Sequence, residues 1–234
     1  ALVYPVDKGS GATTSLVEAD GVVAVPATTA YVATDERVEV ELFDSDWVMP
    51  SVLVAGEPDP VVTDLLADLR APRFLAVGAR EGLRRLRRGI ADAAVVTADG
   101  EGVGRAGGSL TRRWGAYTQT DAPLSVQDAL ADPDAAVMTV DQRYGLHTTI
   151  EAWVDDPDRW RGVHTAPGLY SPIQAVRRGD VAVGLTTATD APASVSFTPL
   201  GSDELQIRLN PDREAKAGVS RLQSALEAVT PDSA

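Results

Sequence analysis

The side chains able to do chemistry are few in kind. The chain has 234 residues, no cysteine, two histidines (His147 and His164) and 34 carboxylates. Without cysteine there is no disulfide, no thiolate zinc site and no thiol nucleophile. A zinc ion would have to draw most of its ligands from carboxylates, against its preference for nitrogen and sulfur, so no metal site is expected. No Gly-x-Ser-x-Gly nucleophile turn and no P-loop occurs. Acidic pairs abound, but in so acidic a chain their adjacency carries almost no information. This portion of polypeptide therefore reads as non-catalytic on its own.

Arginine supplies the remaining charged chemistry, and it recurs in a pattern. The stretch "LRRLRRGIADAAVVTADG" at 83–100 is echoed by "AVRRGDVAVGLTTATD" at 175–190. Each has an arginine pair directly before a glycine (Gly89, Gly179), followed by a short apolar run. Arg87–Arg88 and Arg177–Arg178 suit the negative pole of a helix end, glycine suits the left-handed turn after it, and the apolar run suits a buried strand. The echo is expected to mark equivalent helix-to-strand junctions in two lobes, with the arginines as bystanders.

The formal charge is −13, and Lys8 and Lys216 are the only lysines. Such an acidic, lysine-poor surface suits a salt-rich, halophilic cytoplasm, where screening weakens self-repulsion. Nucleic-acid binding is disfavoured, because phosphate contacts need a basic face. No apolar run approaches the roughly 18–20 residues that span a bilayer, so no membrane partner is expected. The start, "ALVYPVDKGSG", has no basic region leading into an apolar core, so no secretory leader is read there. It also lacks Met and reads as part of a longer polypeptide.

Periodicity sets the elements. "LVYPV", "GVVAVP" and "ERVEVELF" read as strands, the last alternating Val38, Val40 and Leu42 with charges. From Ser51 the rhythm becomes strand, turn, helix. "SVLVAG", "RFLAVG" and "ADAAVVTA" are strands. "PDPVVTDLLADLR" and "REGLRRLRRG" are helices between them, which predicts a parallel sheet. The glycine-rich "DGEGVGRAGGS" at 99–109 reads as a surface loop. It is no nucleotide fingerprint, since no amphipathic helix starts directly after it. Further on, "WGAYTQ", "AAVMTV", "VAVGLTTA", "VSFTPL" and "ELQIRL" are strands. "SVQDALAD" is a helix opened by a Ser125–Asp128 capping pair. "YGLHTTIEAWV" leads into a helix, "SPIQAVRRG" opens with Ser171 as cap and Pro172 next, and "REAKAGVSRLQSALEAV" is a closing amphipathic helix.

Two resemblances follow from these words. From about Pro50 onward the order resembles the type II periplasmic-binding-protein fold, shared by cytoplasmic regulators of the LysR substrate-domain type. The two RRG phrases and "FTPLGSDELQIRLNPD" carry it. The first segment resembles domain IV of the molybdopterin molybdenumtransferase family (bacterial MoeA and the gephyrin E domain), through Gly9–Ser10–Gly11, "SLVEADG", Val25–Pro26 and "VEVELF". Some archaeal members of that family are similar in carrying a binding-protein-like domain directly after domain IV. The fold expected is a small all-β domain at 1–47 followed by a two-lobed α/β domain at 48–234. Lobe 1 would span about 51–110 plus the returning C-terminal part, and lobe 2 about 112–196.

The resemblance implies molybdenum-cofactor biosynthesis in the cytoplasm. A molybdopterin- and magnesium-holding catalytic domain would lie upstream, the full-length protein would be a homodimer, and this portion would hold no cofactor. The turn carrying Gly9, Ser10, Gly11 and Ser15 would face the active-site cleft. In the two-lobed domain a small anion, molybdate, tungstate or molybdopterin, would lie where helix N-termini converge. The candidate positions are Gly56–Glu57, Gly78–Ala79–Arg80, Gly145–Leu146–His147–Thr148 and Gly168–Leu169–Tyr170–Ser171, with Arg143 and Tyr144 beside them. Related oxyanion binders place hydroxyls where Glu57 and Ala79 stand, and a glutamate beside a helix N-terminus would repel an oxyanion. The alternatives are a ligand-free scaffold or assembly domain and the effector-sensing domain of a regulator.

Overall fold

A computed structural model describes residues 3, 19–33, 36–97, 102–122, 124–154 and 162–229. The chain divides into two compact units, Ala1–Met49 and Pro50–Ala234. In the first, β1 (Gly21–Val22) and β2 (Glu41–Leu42) form a two-stranded antiparallel sheet, with Gly21 opposite Leu42. Val38 and Val40 are half-buried as their alternation requires, but Leu42 and Phe43 are exposed. The first predicted strand, "LVYPV", lies almost wholly outside the described residues.

The second unit is a curled mixed α/β sheet of eight strands in the order β4-β3-β5-β10-β6-β9-β7-β8, the arrangement of type II periplasmic-binding-protein-like folds. Lobe 1 holds β3 (Val52–Gly56), β4 (Pro72–Ala76) and β5 (Ala93–Thr97), all parallel. Helices α1 (Pro60–Ala67) and α2 (Ala79–Arg87) connect them. Lobe 2 holds β7 (Ala136–Val140), β8 (Gly162–Ala166) and β9 (Val183–Thr187), also parallel. Its helices are α3 (Val126–Ala131), α4 (Gly145–Val154) and α5 (Ser171–Arg178). Helix α6 (Ala217–Val229) returns to lobe 1.

Two long strands join the lobes. β6 (Arg105–Gln119) and β10 (Val195–Leu209) pair antiparallel from Arg105 opposite Leu209 to Gln119 opposite Val195. β10 borders β5 in lobe 1, and β6 borders β9 in lobe 2. This ladder corrects two expectations. Arg105 to Ser109, read as loop, are strand, because β10 supplies backbone partners that sequence periodicity cannot reveal. "VSFTPL" and "ELQIRL" are one strand, with a register shift between Pro199 and Gly201 that accommodates the proline as a bulge.

Each lobe packs helices on both sheet faces. In lobe 1, Val62, Leu65 and Leu66 of α1 and Val219, Leu222 and Leu226 of α6 meet Val52, Val54, Val95, Leu205, Ile207 and Leu209. The opposite face buries Ala94 and Val96 against Leu86 of α2. In lobe 2, Leu146, Ile150 and Val154 of α4 join Val126 and Leu130 of α3 over Val137, Val140 and Leu185. Ile173 and Val176 of α5 cover Tyr117 and Val195 on the other side.

The two arginine phrases close their helices identically. The Gly89 N–H donates to Leu86 O and Ile90 N–H to Arg85 O, with Gly89 at φ 70°. Gly179 N–H donates to Val176 O and Asp180 N–H to Ala175 O, with Gly179 at φ 77°. Both are Schellman motifs, which need a left-handed residue and so take glycine. Arg87, Arg88, Arg177 and Arg178 are exposed.

Candidate functional site

In a two-lobed fold the place to look is where the sheet's carboxyl ends face helix N-termini across the interlobe boundary. The chain turns away from β3 at Gly56, and Glu57 donates its N–H to Val95 O at 3.0 Å. Helix α1 does not use this glutamate. Its cap is Asp59, whose Oδ1 accepts from Val61 N–H at 3.1 Å. The Glu57 side chain is thereby free to cross the boundary to α4 of lobe 2.

Its carboxylate is fully enclosed there. Oε2 accepts from Gly145 N–H at 3.0 Å and from the Thr97 hydroxyl at 2.8 Å. Oε1 accepts from Leu146 N–H at 3.2 Å and from Arg112 Nη1. A carboxylate offers about four acceptor sites, and all four have donors. Two of those donors are unpaired amides at a helix N-terminus, where a negative charge is favoured.

Arg112 is held from the hinge ladder. It lies opposite Asp203 in the β6–β10 register, and its Nε donates to Asp203 Oδ1 at 2.8 Å while Nη2 donates to Oδ2. Asp203 Oδ2 also accepts from the Thr149 hydroxyl of α4 at 2.9 Å. Burial works against the guanidinium's charge. The hydrogen bonds and attraction of Asp203 and Glu57 overcome it and hold its pKa above the usual arginine value. Asp59 closes the cluster: its Oδ2 accepts from the Thr187 hydroxyl at the end of β9, at 2.8 Å. Burial pushes the Asp59 carboxyl above the usual range, against those hydrogen bonds and the pull of Arg112.

The lobes also meet backbone to backbone. Gly78 caps α2 at φ 80°, and a methyl group on it would strike the Arg143 carbonyl oxygen. A methyl on Gly145 would strike the Thr97 hydroxyl. At these positions the two lobes are in direct contact.

The remaining sequence-predicted positions separate into three groups. Glu57, Gly78 and Gly145 lie at the contact between the lobes, with Gly56 beside Glu57 in lobe 1. Arg80 and Arg143 are exposed, and Arg143 donates to Asp141 Oδ1 through its backbone N–H at 2.9 Å and through Nε at 3.3 Å. These bonds, the backbone one foremost, hold the Asp141 carboxyl below its usual range. The others serve lobe 2 itself. Tyr144 is buried and donates to Pro167 O at 2.7 Å, and burial raises its pKa. His147 is buried, with Nδ1 2.9 Å from Val140 O and Nε2 3.2 Å from Glu151 Oε1. Thr148 and Tyr170 are exposed, and the Tyr170 hydroxyl lies 2.9 Å from Thr189 Oγ1. Ser171 is the first residue of α5, and Tyr170 holds the cap position expected for it. Gly9, Ser10, Gly11 and Ser15 lie outside the described residues.

Arg112, Asp203, Thr97 and Asp59 were not legible as site residues. One signal was available for Arg112. It shares the parity of Leu110 and Trp114, which are both buried, so the strand's alternation points this arginine inward.

Among the described residues no group of histidines and carboxylates could hold a metal ion, and no helix is long and apolar enough to cross a membrane. Residues 1–43 match the model of the MoeA C-terminal region (domain IV). No curated protein sequence matches the chain. Among solved structures, a phosphate transport receptor from Vibrio cholerae is similar over 77% of this chain and 100% of its own, at TM-score 0.52 and 14% identity. A cysteine-to-serine variant of the OxyR2 regulatory domain from Vibrio vulnificus is similar over 79% and 99%, at TM-score 0.56 and 14% identity. A substrate binding domain assigned to a molybdenum ABC transporter from Clostridium difficile is similar over 77% and 92%, at TM-score 0.51 and 10% identity. At these identities the likeness is one of fold.

Proposed function

We propose that this chain is a C-terminal accessory portion of a molybdopterin molybdenumtransferase, acting in molybdenum-cofactor biosynthesis. The single observation behind that placement is the match of residues 1–43 to domain IV. In this reading domain IV borders the substrate cleft of an upstream catalytic domain, which holds molybdopterin and magnesium in a cytoplasmic homodimer. The two-lobed domain is a closed assembly module that takes no free oxyanion. What supports the closed module is the enclosed Glu57 carboxylate on Gly145 and Leu146 N–H. An incoming molybdate would need those same amides.

The test is calorimetric titration of the chain in high salt with molybdate and tungstate. No binding heat is expected from either; saturable heat from one of them would overturn the closed module. For the biosynthetic role, deletion of this region in its host should depress molybdenum-dependent enzyme activities, and unchanged activities would overturn it. A second reading has one observation in its favour: Arg80 and Arg143 stand exposed beside the contact of Gly78 with the Arg143 backbone. A larger anion such as molybdopterin would bind there. Its heat would then disappear in Arg143→Ala.

A further inference from the structure

The donors around Glu57 form a complete carboxylate receptor: two helix N-terminal amides, one hydroxyl and one guanidinium, gathered from three elements. The amides come from α4, the hydroxyl from β5, and the guanidinium from β6. The carboxylate itself comes from the turn after β3. Nothing else in lobe 1 crosses to the amides of Gly145 and Leu146 among the described contacts. Asp203 fixes Arg112 from behind with two hydrogen bonds, so the receptor stands independently of the group it holds.

We infer that Glu57 is a ligand carried in cis: the domain retains a working monocarboxylate site between its lobes, and its own side chain fills it and latches the closed form. The inference rests on the closed module proposed above and specifies what closes it. A Glu57→Ala substitution removes one methylene and the carboxylate, which together are the skeleton of acetate. The vacated space therefore has the size and the donor set for acetate, and formate would fill part of it. The same donors do not suit acetamide, whose NH2 group would face N–H donors.

Three arms test this on the whole chain. In the native protein without added ligand, the amide hydrogens of Gly145 and Leu146 should exchange as slowly as the core of α4; exchange at the rate of open helix-end amides would overturn the latch. Glu57→Ala should lower the thermal midpoint by about 5–10 °C. Sodium acetate should restore it saturably, while acetamide and matched sodium chloride do not and the native chain does not respond. Should Glu57→Ala fail to fold alone, refolding in acetate but not in chloride is the same result. Acetate without effect in either assay overturns the proposal. Adding Arg112→Met to the alanine variant should abolish the acetate response; a response that persists would assign the rescue to a general salt effect. Molybdate binding to the native chain would sink the closed module, whereas failed acetate rescue would sink only the cis-ligand site.

Discussion

At the scale of single residues, a buried ion pair is judged by what happens when half of it is removed. Glu57 and Arg112 are both enclosed, and each makes further hydrogen bonds beyond the pair itself. Arg112→Met leaves two carboxylates without their cation and should cost about 3–5 kcal/mol. Combined with Glu57→Leu it should cost less than the sum of the single losses, which a double-mutant cycle by urea denaturation will measure. Asp59 gives a pH signature. Its folded pKa lies above its unfolded value, so the folded state binds the proton more tightly. Its stabilising share is full below the ordinary aspartate value and is lost as pH rises through the raised one. Asp59→Asn keeps a cap acceptor and removes that titration. Denaturation curves from pH 4 to 8 should show the native chain losing stability relative to Asp59→Asn as pH rises, with the two nearest in acid. The sequence exposed the position of Glu57 beside a helix start but not its partners. Arg112 and Asp203 lie 55 and 146 residues further along, and only strand pairing brings them to it.

At the scale of elements, local chemistry was the most readable layer. Val62, Leu65 and Leu66 gave α1 its buried stripe, and Ser125 caps α3 by accepting from Asp128 N–H at 3.2 Å. The arginine phrases were legible as helix ends because the Schellman turn is written within six residues. Gly89→Ala and Gly179→Ala force a methyl-bearing residue into a left-handed turn and should each cost about 1–2 kcal/mol. Alanine at Arg177 or Arg178 should stay within about 0.5 kcal/mol. Thermal denaturation of the four variants separates punctuation from charge. Elements stabilised from afar were less readable. β8 is a short strand at the end of the sheet order, paired with β7, and its run of Gly162 to Ala166 has no strong strand signal. The glycines of β6 hid a strand because a glycine-rich run reads as loop until a partner is known.

At the scale of the molecule, charge and connectivity dominate. A net charge of −13 repels itself more in the compact state than in the open chain. The thermal midpoint should therefore rise as potassium chloride goes from about 0.01 to 0.5 M, where the screening length falls from roughly 30 Å to a few ångströms. A midpoint that ignores salt would show that the acidic residues are too widely spaced to interact. The return of β10 to lobe 1 has a consequence for the protein's birth. β6, β9, β7 and β8 are all present once Thr187 has been made, whereas the core of lobe 1 needs Leu205, Ile207 and Leu209, and then Val219, Leu222 and Leu226. On the ribosome most of lobe 2 can assemble while its older neighbour waits, with Val52, Val54 and Val95 covered by α1 but not yet by β10 and α6. The segment emerging earlier is thus the one exposed to chaperones and proteases for longer.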